Sequence, residues 1–271
     1  MSKQIAITGM GIFCGAAVDI PGFRAALLEG RSGIGLIDLF DVSSFPSRIG
    51  AQVTGYEPQQ YFSRKEVSRL SRTDQFALLA AREAVAMSGL SGVYDPYQVG
   101  VCVGGGVGGM LHGEQWLQAK GAGTAAKPGL LRTLLPDSTA TALAGDFGFA
   151  GYQGSITTAC SSSATAIGWG ADLIRTGKLQ AMLCGGADAL AMLTFAGFNA
   201  LKVVDPQPCA PFSAGRQGLT LGEGAAFVVL EDAAAATARG AEILGYLLGY
   251  ALVGEAYHMT APEPTGEAAA R

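Results

Sequence analysis

The chain alternates between short, mostly apolar runs and longer segments in which apolar residues recur every three or four positions. Residues 98–104 (QVGVCVG), 181–188 (AMLCGGAD) and 224–231 (GAAFVVLE) are apolar runs, which is the pattern of buried strands. Residues 66–87 form the longest segment of the second kind, which is typical of an amphipathic helix. Strands separated by helices predict an α/β fold with a largely parallel sheet.

The same patterns place further elements along the chain. We expect more strands at residues 4–9, 155–158 and 242–255, and more helices at residues 22–28, 109–119, 137–147, 161–176, 189–201 and 232–239.

Cys160 lies where a short strand pattern gives way to small hydroxyl residues and then to a helical pattern (SITTACSSSATAIGWGADL). Unpaired backbone N–H groups and the helix dipole favour an anion at the start of a helix, and a thiolate is an anion. This position favours a reactive cysteine. Free cysteine is also among the most buried residue types, so a structural role is the alternative, and position alone leaves both open.

Composition narrows the class of protein. The chain has 271 residues, of which 49% are hydrophobic and only 15% charged, and its net charge of −4 gives no reason to expect nucleic acid or a membrane as partner. The five cysteines are odd in number and far apart, which indicates reduced thiols and a cytoplasmic protein. No cysteine pair has metal-ligand spacing, so we expect no metal site. The apolar runs are too short to span a bilayer, which predicts a soluble protein.

Two familiar motifs are weak here. Residues 104–109 (GGGVGG) fit the dinucleotide-binding pattern, but no acidic residue follows about 20 positions later. We therefore prefer a glycine loop at which the backbone approaches a pocket. The CSSSA segment lacks the glycines that flank a hydrolase serine, and only His112 or His258 could serve as its base, which disfavours a hydrolase.

Basic residues cluster at the start of the long helical pattern. Arg64, Lys65, Arg69 and Arg72 fall within nine residues of an otherwise acidic chain. Charge alone leaves two interpretations open, a solvated helix face and a surface that binds an acidic partner.

Six segments, in this order, resemble the elongating β-ketoacyl-acyl-carrier-protein synthases of fatty-acid and polyketide assembly. They cover nearly all of the chain and read AITGMGIFCG, SRLSRTDQFALLAAREAVAMSGL, VGVCVGGGVGGM, SITTACSSSATAIGWGADLIRTGKLQAMLCGGAD, APFSAGRQGLTLGEGAAFVVLE and AYHMTAPEP. The resemblance implies a thiolase-like fold with α-β-α-β-α layers, usually in a dimer. Residues 1–240 would form the N-terminal synthase domain, and residues 241–271 would begin the C-terminal half with its first strand.

The resemblance also implies roles for individual residues. Cys160 matches the nucleophile that takes an acyl chain as a thioester and passes it to the carbanion formed by decarboxylation of malonyl-carrier protein. Val107 matches a position in the acyl pocket, as does Phe198. Arg64, Lys65 and Arg69 fall where the family meets its acidic acyl carrier protein. The family needs no cofactor of its own, because its substrates arrive on the phosphopantetheine arm of the carrier protein.

One difference between this chain and the family affects the expected activity. The family's two active-site histidines, its supporting lysine and the second oxyanion donor belong to a C-terminal half, and neither His112 nor His258 matches those histidines. We expect this chain to be acylated at most, with the missing residues supplied by a separate partner chain or lost by truncation. A non-condensing assembly subunit or acyl-binding scaffold is the alternative function, although Cys160 disfavours it. A thiolase acting on coenzyme A esters is disfavoured by the segment PFSAGRQGLTLGEGA.

Overall fold

A computed structural model describes residues 3–259 and 261–270 of the chain. Residues 1, 2 and 271, at the ends of the two predicted domains, and residue 260, in the last matched segment, lie outside the described residues. The strands are β1 (Ile5–Cys14), β2 (Gly35–Leu36), β3 (Ile49–Gly50), β4 (Val99–Gly104), β5 (Gln153–Ile156), β6 (Ala181–Asp188), β7 (Gly224–Asp232) and β8 (Gly245–Leu247). The α-helices are α1 (Ile20–Glu29), α2 (Arg64–Val67), α3 (Arg72–Ser88), α4 (Met110–Gly121), α5 (Ser138–Phe147), α6 (Ser162–Arg175), α7 (Met192–Ala200), α8 (Ala233–Ala238) and α9 (Glu267–Ala270).

The main sheet has six strands in the order β5-β4-β6-β7-β1-β8. Strand β4 pairs in parallel with β5 and with β6, whereas β7 is antiparallel to both β6 and β1, and β8 is antiparallel to β1. The predicted α/β class is therefore confirmed, but the prediction of a largely parallel sheet is wrong. After the irregular segment that follows α7, the chain enters β7 in the direction opposite to β6, and an apolar run does not reveal the direction in which a strand is entered.

Helices cover both faces of this sheet. Helices α3 and α5 pack on one face, where Phe76, Ala80 and Leu143 are completely buried against the strands. Helix α6 packs on the other face through Ala166, Ala171 and Ile174. Two apolar helix surfaces on one two-sided apolar sheet give an α/β/α arrangement with a substantial core.

The long helical pattern at residues 66–87 forms two helices rather than one. Ser63 and Glu66 make a capping box at the start of α2, and Ser71 and Asp74 make another at the start of α3. A capping box satisfies free N–H groups at a helix start, so the second box begins a new helix inside the apparent single pattern.

Strand β8 is shorter than the predicted strand at residues 242–255. It pairs with β1 at the edge of the main sheet, so part of the segment 241–271 joins the sheet formed by residues 1–240. The division into two domains at residue 240 stays a prediction. Among the residues that the structure describes, none of the helices combines the length and apolarity that crossing a membrane requires.

Candidate active site

Cys160 is exposed and lies in a single 3-10 turn, residues 159–161, between strand β5 and helix α6. The residue before it, Ala159, has a φ of 53°, which is in the left-handed region that non-glycine residues rarely adopt. Such a backbone costs roughly 1–3 kcal/mol and persists only where the surrounding structure holds it. The chain therefore makes a sharp, held turn that presents the cysteine at the start of a helix, as the sequence predicts.

Hydroxyl side chains hold this turn in place. Ser162 Oγ accepts the N–H of Thr158 at 2.9 Å and donates to the carbonyl of Ala159 at 2.6 Å. Ser161 Oγ donates to the carbonyl of Thr158, and Thr165 Oγ1 donates to the carbonyl of Ser161, both at 2.9 Å. These bonds explain why small hydroxyl residues surround the cysteine, because larger side chains could not reach back onto the turn.

Two glycines let the helix start sit directly on the sheet. A Cβ at Gly104, the last residue of β4, would lie 2.3 Å from the backbone of Ser162 and Ser163. A Cβ at Gly186, on the neighbouring strand β6, would lie 2.6 Å from the Cβ of Ser163. Neither distance is possible for real atoms, so glycine is required at both positions for the first turn of α6, and Cys160 with it, to lie where it does.

A cavity of about 510 Å³ opens beside Cys160. Its lining is mostly apolar and comes from strands β1, β4, β6 and β7, from helices α1 and α6, and from the turn of Cys160 itself. The larger apolar side chains that line it are Met10, Ile12, Ile20, Phe23, Ile167 and Phe227. An exposed thiol at the mouth of an apolar cavity is suited to carrying an acyl chain, since the sulfur stays accessible while the hydrocarbon leaves water.

The glycine loop at residues 104–109 binds a carboxylate of the chain itself. The N–H groups of Gly106, Val107 and Gly108 all donate to Asp188 at the end of β6. Sequence reasoning missed Asp188, although one signal was present: β4 and β6 are parallel neighbours, so the residues after both strands lie at the same edge of the sheet. Because these N–H groups are already bonded, the structure disfavours a nucleotide phosphate at the loop.

The two predicted acyl-pocket residues lie apart from this cavity. Val107 is half-buried in the glycine loop, and Phe198 is half-buried in α7. Neither is among the described residues that line the cavity of Cys160. Their contact with an acyl chain stays a prediction.

The three predicted docking residues come together on one short element. Arg64, Lys65 and Arg69 are all exposed, in α2 and just after it, and within the described part of the chain none of them forms an ion pair. Glu66 lies between them, but its carboxylate accepts the N–H of Ser63 at 2.7 Å, and hydrogen bonds from Ser63 lower the pKa of Glu66. Three cations thus remain available to an acidic partner.

Neither histidine lies at the cysteine. His112 Nδ1 is 3.1 Å from Thr133 Oγ1, beside a separate cavity between α2 and α4, and burial lowers the pKa of this imidazole. His258 Nδ1 accepts the N–H of Ala261 in the C-terminal segment. Within residues 3–259 and 261–270, no three His, Cys, Asp or Glu side chains are arranged to hold a metal ion.

Comparison with known proteins identifies the family of the chain. The family model described as "Beta-ketoacyl synthase, N-terminal domain" matches residues 2–236. A 3-oxoacyl-acyl-carrier-protein synthase 2 from Synechocystis sp. is 32% identical over an alignment of 279 positions, which covers 99% of this chain and 67% of that protein.

Solved structures give the same result. The ishigamide ketosynthase/chain length factor superposes with a TM-score of 0.92 at 32% identity, covering 98% of this chain and 67% of that one. A type II polyketide ketosynthase, solved with its acyl carrier protein and bound to the hexaketide, superposes with a TM-score of 0.87 at 27% identity, covering 99% of this chain and 67% of that one. The chain belongs to the β-ketoacyl synthase family and has its thiolase-like fold, and it spans about two thirds of the length of these relatives.

Proposed function

We propose that this chain is the nucleophile-bearing part of a β-ketoacyl-acyl-carrier-protein synthase and that Cys160 is the residue that is acylated. The Cys160 thiolate attacks the thioester carbonyl of an acyl-carrier protein, the phosphopantetheine thiolate leaves and takes a proton, and the acyl chain remains on Sγ as a thioester. The observation that supports this most directly is that Cys160 is exposed, on a turn held by hydrogen bonds beside the apolar cavity.

The condensation step needs more than the described residues provide. Decarboxylation of malonyl-carrier protein builds negative charge on the thioester oxygen, which must be stabilised by hydrogen-bond donors close to the acyl sulfur. Neither His112 nor His258 is among the described residues that line the cavity. We infer that the donors come from the third of the relatives' length that this chain does not span, or from a partner chain, and that this polypeptide alone stops at the acylated state.

Two partners fit the surface. An acidic acyl carrier protein fits the exposed cations of α2, and one of the similar solved structures is a ketosynthase in complex with such a protein. A second synthase chain fits the edge strand β5, which within the described residues pairs with β4 alone and leaves its other edge open. Another similar structure is a ketosynthase with its chain length factor, which supports pairing of this kind.

The cofactor requirement and the cellular compartment are inferred from the same chemistry. The substrates bring their own phosphopantetheine arm, so we propose that the reaction requires no further cofactor. All five cysteines are free thiols, which supports a reducing compartment, and we propose the cytoplasm.

Mass spectrometry tests the proposal. We expect the intact chain, incubated with an acyl-carrier protein, to gain the mass of one acyl group, and peptide mapping to place that group on Cys160. Cys160→Ala should abolish the adduct, whereas Cys209→Ala, a matched control at a half-buried cysteine outside the cavity, should not. A wild-type chain that gains no acyl group would favour the non-condensing scaffold instead.

A further inference from the structure

Asp188 makes an unusual set of contacts for a side chain at the end of a strand. Its Oδ1 accepts the N–H of Val107 at 2.7 Å and that of Gly108 at 3.3 Å, and both of its oxygens lie within 3.1 Å of the N of Gly106. Three consecutive backbone donors thus converge on one carboxylate, which is the geometry of an anion-binding nest. Hydrogen bonds to a charged acceptor are about twice as strong as those between neutral groups.

A second side chain, from helix α3, holds the same loop. Thr73, near the start of α3, donates its hydroxyl to the carbonyl of Gly108 and accepts the N–H of Ala189, the residue after Asp188. Backbone contact completes the attachment, since the N–H of Gly109 donates to the carbonyl of Thr133 at 3.0 Å. Of these hydrogen bonds to the loop, only those to Asp188 involve a charged group.

The loop and the carboxylate border the reactive cysteine. Gly104, Gly105 and Asp188 line the same cavity as Cys160, and Val107 lies two residues further along the loop. A shift of this loop therefore changes the shape of the space beside the thiol.

We propose that Asp188 is a positioning residue that fixes the glycine loop at residues 104–109 and thereby sets which acyl chain lengths Cys160 accepts. This inference rests on the proposed acylation of Cys160. The carboxylate neither attacks nor transfers a proton; it acts by holding the wall of the cavity.

The charge contributes to this attachment, because the amide of asparagine is neutral and keeps only one acceptor oxygen. One of its two terminal atoms is an NH2 group, which donates and cannot accept. The N–H of Gly106 lies close to both carboxylate oxygens, so in Asp188→Asn it would face an NH2 group in either orientation of the amide. With its oxygen in the place of Oδ1, the amide still accepts the N–H groups of Val107 and Gly108, but these bonds lose their charge and the NH2 group lies against the N–H of Gly106, so the loop is held less tightly.

Two measurements test the proposal on the full chain. In hydrogen–deuterium exchange, we expect the amides of residues 106–108 to exchange about tenfold or more faster in Asp188→Asn, the equivalent of losing one charge-assisted hydrogen bond. In acylation assays, one carrier protein bears a short acyl chain and the other a long one. We expect the ratio of the two acylation rates to differ about tenfold between Asp188→Asn and the wild type. Asp137→Asn is the matched control, since this exposed carboxylate at the start of α5 caps no backbone N–H there.

The outcomes separate a failure of this inference from a failure of the proposed function. If exchange at residues 106–108 and the chain-length ratio both stay at their wild-type values in Asp188→Asn, the inference is wrong. If that variant does not fold, Thr73→Val takes its place, because it removes the other side-chain bond to the loop, and it should shift the same ratio. If the wild-type chain is not acylated by either donor, the proposed function fails, while exchange still shows whether Asp188 fixes the loop.

Discussion

At the scale of the residue, the cysteines fall into two groups with opposite chemistry. Cys160 is exposed on its turn, whereas Cys102 and Cys184 face each other on neighbouring strands and are completely buried. Burial raises the pKa of Cys102 to about 12 and raises that of Cys184 well above its ordinary value. Because the thiolate is the nucleophile, the two buried sulfurs are unreactive at neutral pH.

Alkylation separates these groups. At pH 7.5 we expect iodoacetamide to modify Cys160 in the folded chain and to leave Cys102 and Cys184 essentially unmodified, because a thiol with a pKa near 12 is less than about 0.1% ionised at that pH. Peptide mapping by mass spectrometry measures the modified fraction of each residue. Unfolding in guanidinium should make all three react, and rapid modification of Cys102 in the native chain would contradict the buried environment described here.

Much of the site at this scale could be predicted from sequence, and the rest depended on distant contacts. The position of Cys160 on a turn before a helix could be predicted because strand, turn and helix patterns meet there. Asp188 was missed because its partners, Gly106 to Gly108, lie about 80 positions earlier in the chain, and no local pattern reports a carboxylate that binds backbone from another element. The left-handed Ala159 was missed for a different reason, since alanine is not one of the residue types, such as glycine and asparagine, that commonly adopt a positive φ.

At the scale of the element, helix α2 gathers the cations of the proposed docking surface. We expect Lys65→Glu to slow acylation of Cys160 by an acyl-carrier protein about tenfold at low salt, because it replaces an attraction with a repulsion. Acylation by a small acyl thioester without a carrier should be unchanged. The two rates, measured side by side and again at high salt, check the prediction.

A matched variant sharpens this test. Lys178→Glu makes the same change of charge at an exposed lysine after α6, away from α2. It should leave both rates near their wild-type values, because docking depends on where the charge lies. Equal slowing by Lys178→Glu and Lys65→Glu would mean that only net charge matters.

A buried ion pair joins helix α3 to three loop segments around the core. Glu223, whose side chain is completely buried just before β7, pairs with Arg72 of α3 at 2.6 Å and accepts the N–H groups of Val53 and Leu190. Arg72 also lies over the rings of Tyr56 and Phe76. Every acceptor site of the carboxylate is therefore in use, which is how a charge can be held inside a protein.

Removing one partner of this pair should be costly. We expect Glu223→Ala to lower the free energy of unfolding by about 3–5 kcal/mol, because it leaves the Arg72 charge buried and two N–H groups without an acceptor. Glu29→Ala, which removes an exposed pair with Arg31, should cost less than about 1 kcal/mol. Urea titrations of both variants measure the difference, and equal losses would contradict the structural role of Glu223.

The elements themselves show what a hydropathy pattern can resolve. Strands β4, β6 and β7 begin and end within one residue of their predicted limits, because an apolar run bounded by polar or glycine residues is a local signal. Strand direction is not local, so the antiparallel placement of β7, β1 and β8 could not be predicted. The C-terminal apolar pattern at residues 242–255 predicted a longer strand than β8, because beyond Leu247 the described segment has no neighbouring strand with which to pair.

At the scale of the whole molecule, the segment after β8 leaves large apolar side chains in water. Leu248 is 89% exposed and Met259 is 94% exposed, and Leu252, Val253 and Tyr257 between them are also exposed. Exposed apolar residues that occur singly are ordinary, but a run of this kind within about a dozen positions is typical of a surface that another protein region covers. We infer that the part of the relatives that this chain does not span, or a partner chain, is what covers it.

This exposure predicts how the chain behaves when it is expressed alone. We expect it to self-associate at micromolar concentration, because pairing would remove these side chains from water at about 25 cal/mol for each Å² of apolar surface buried. Light scattering across a dilution series measures the association. Replacing Leu248 and Met259 by serine should shift the midpoint to at least tenfold higher concentration, whereas Tyr97→Ser, at a residue that is 75% exposed in a different part of the chain, should not. Co-expression with a polypeptide that supplies the remaining third of a relative should suppress association in the wild type. If the serine variants associate as strongly as the wild type, this segment is not the covered surface. The open edge of β5 then becomes the site of pairing to test.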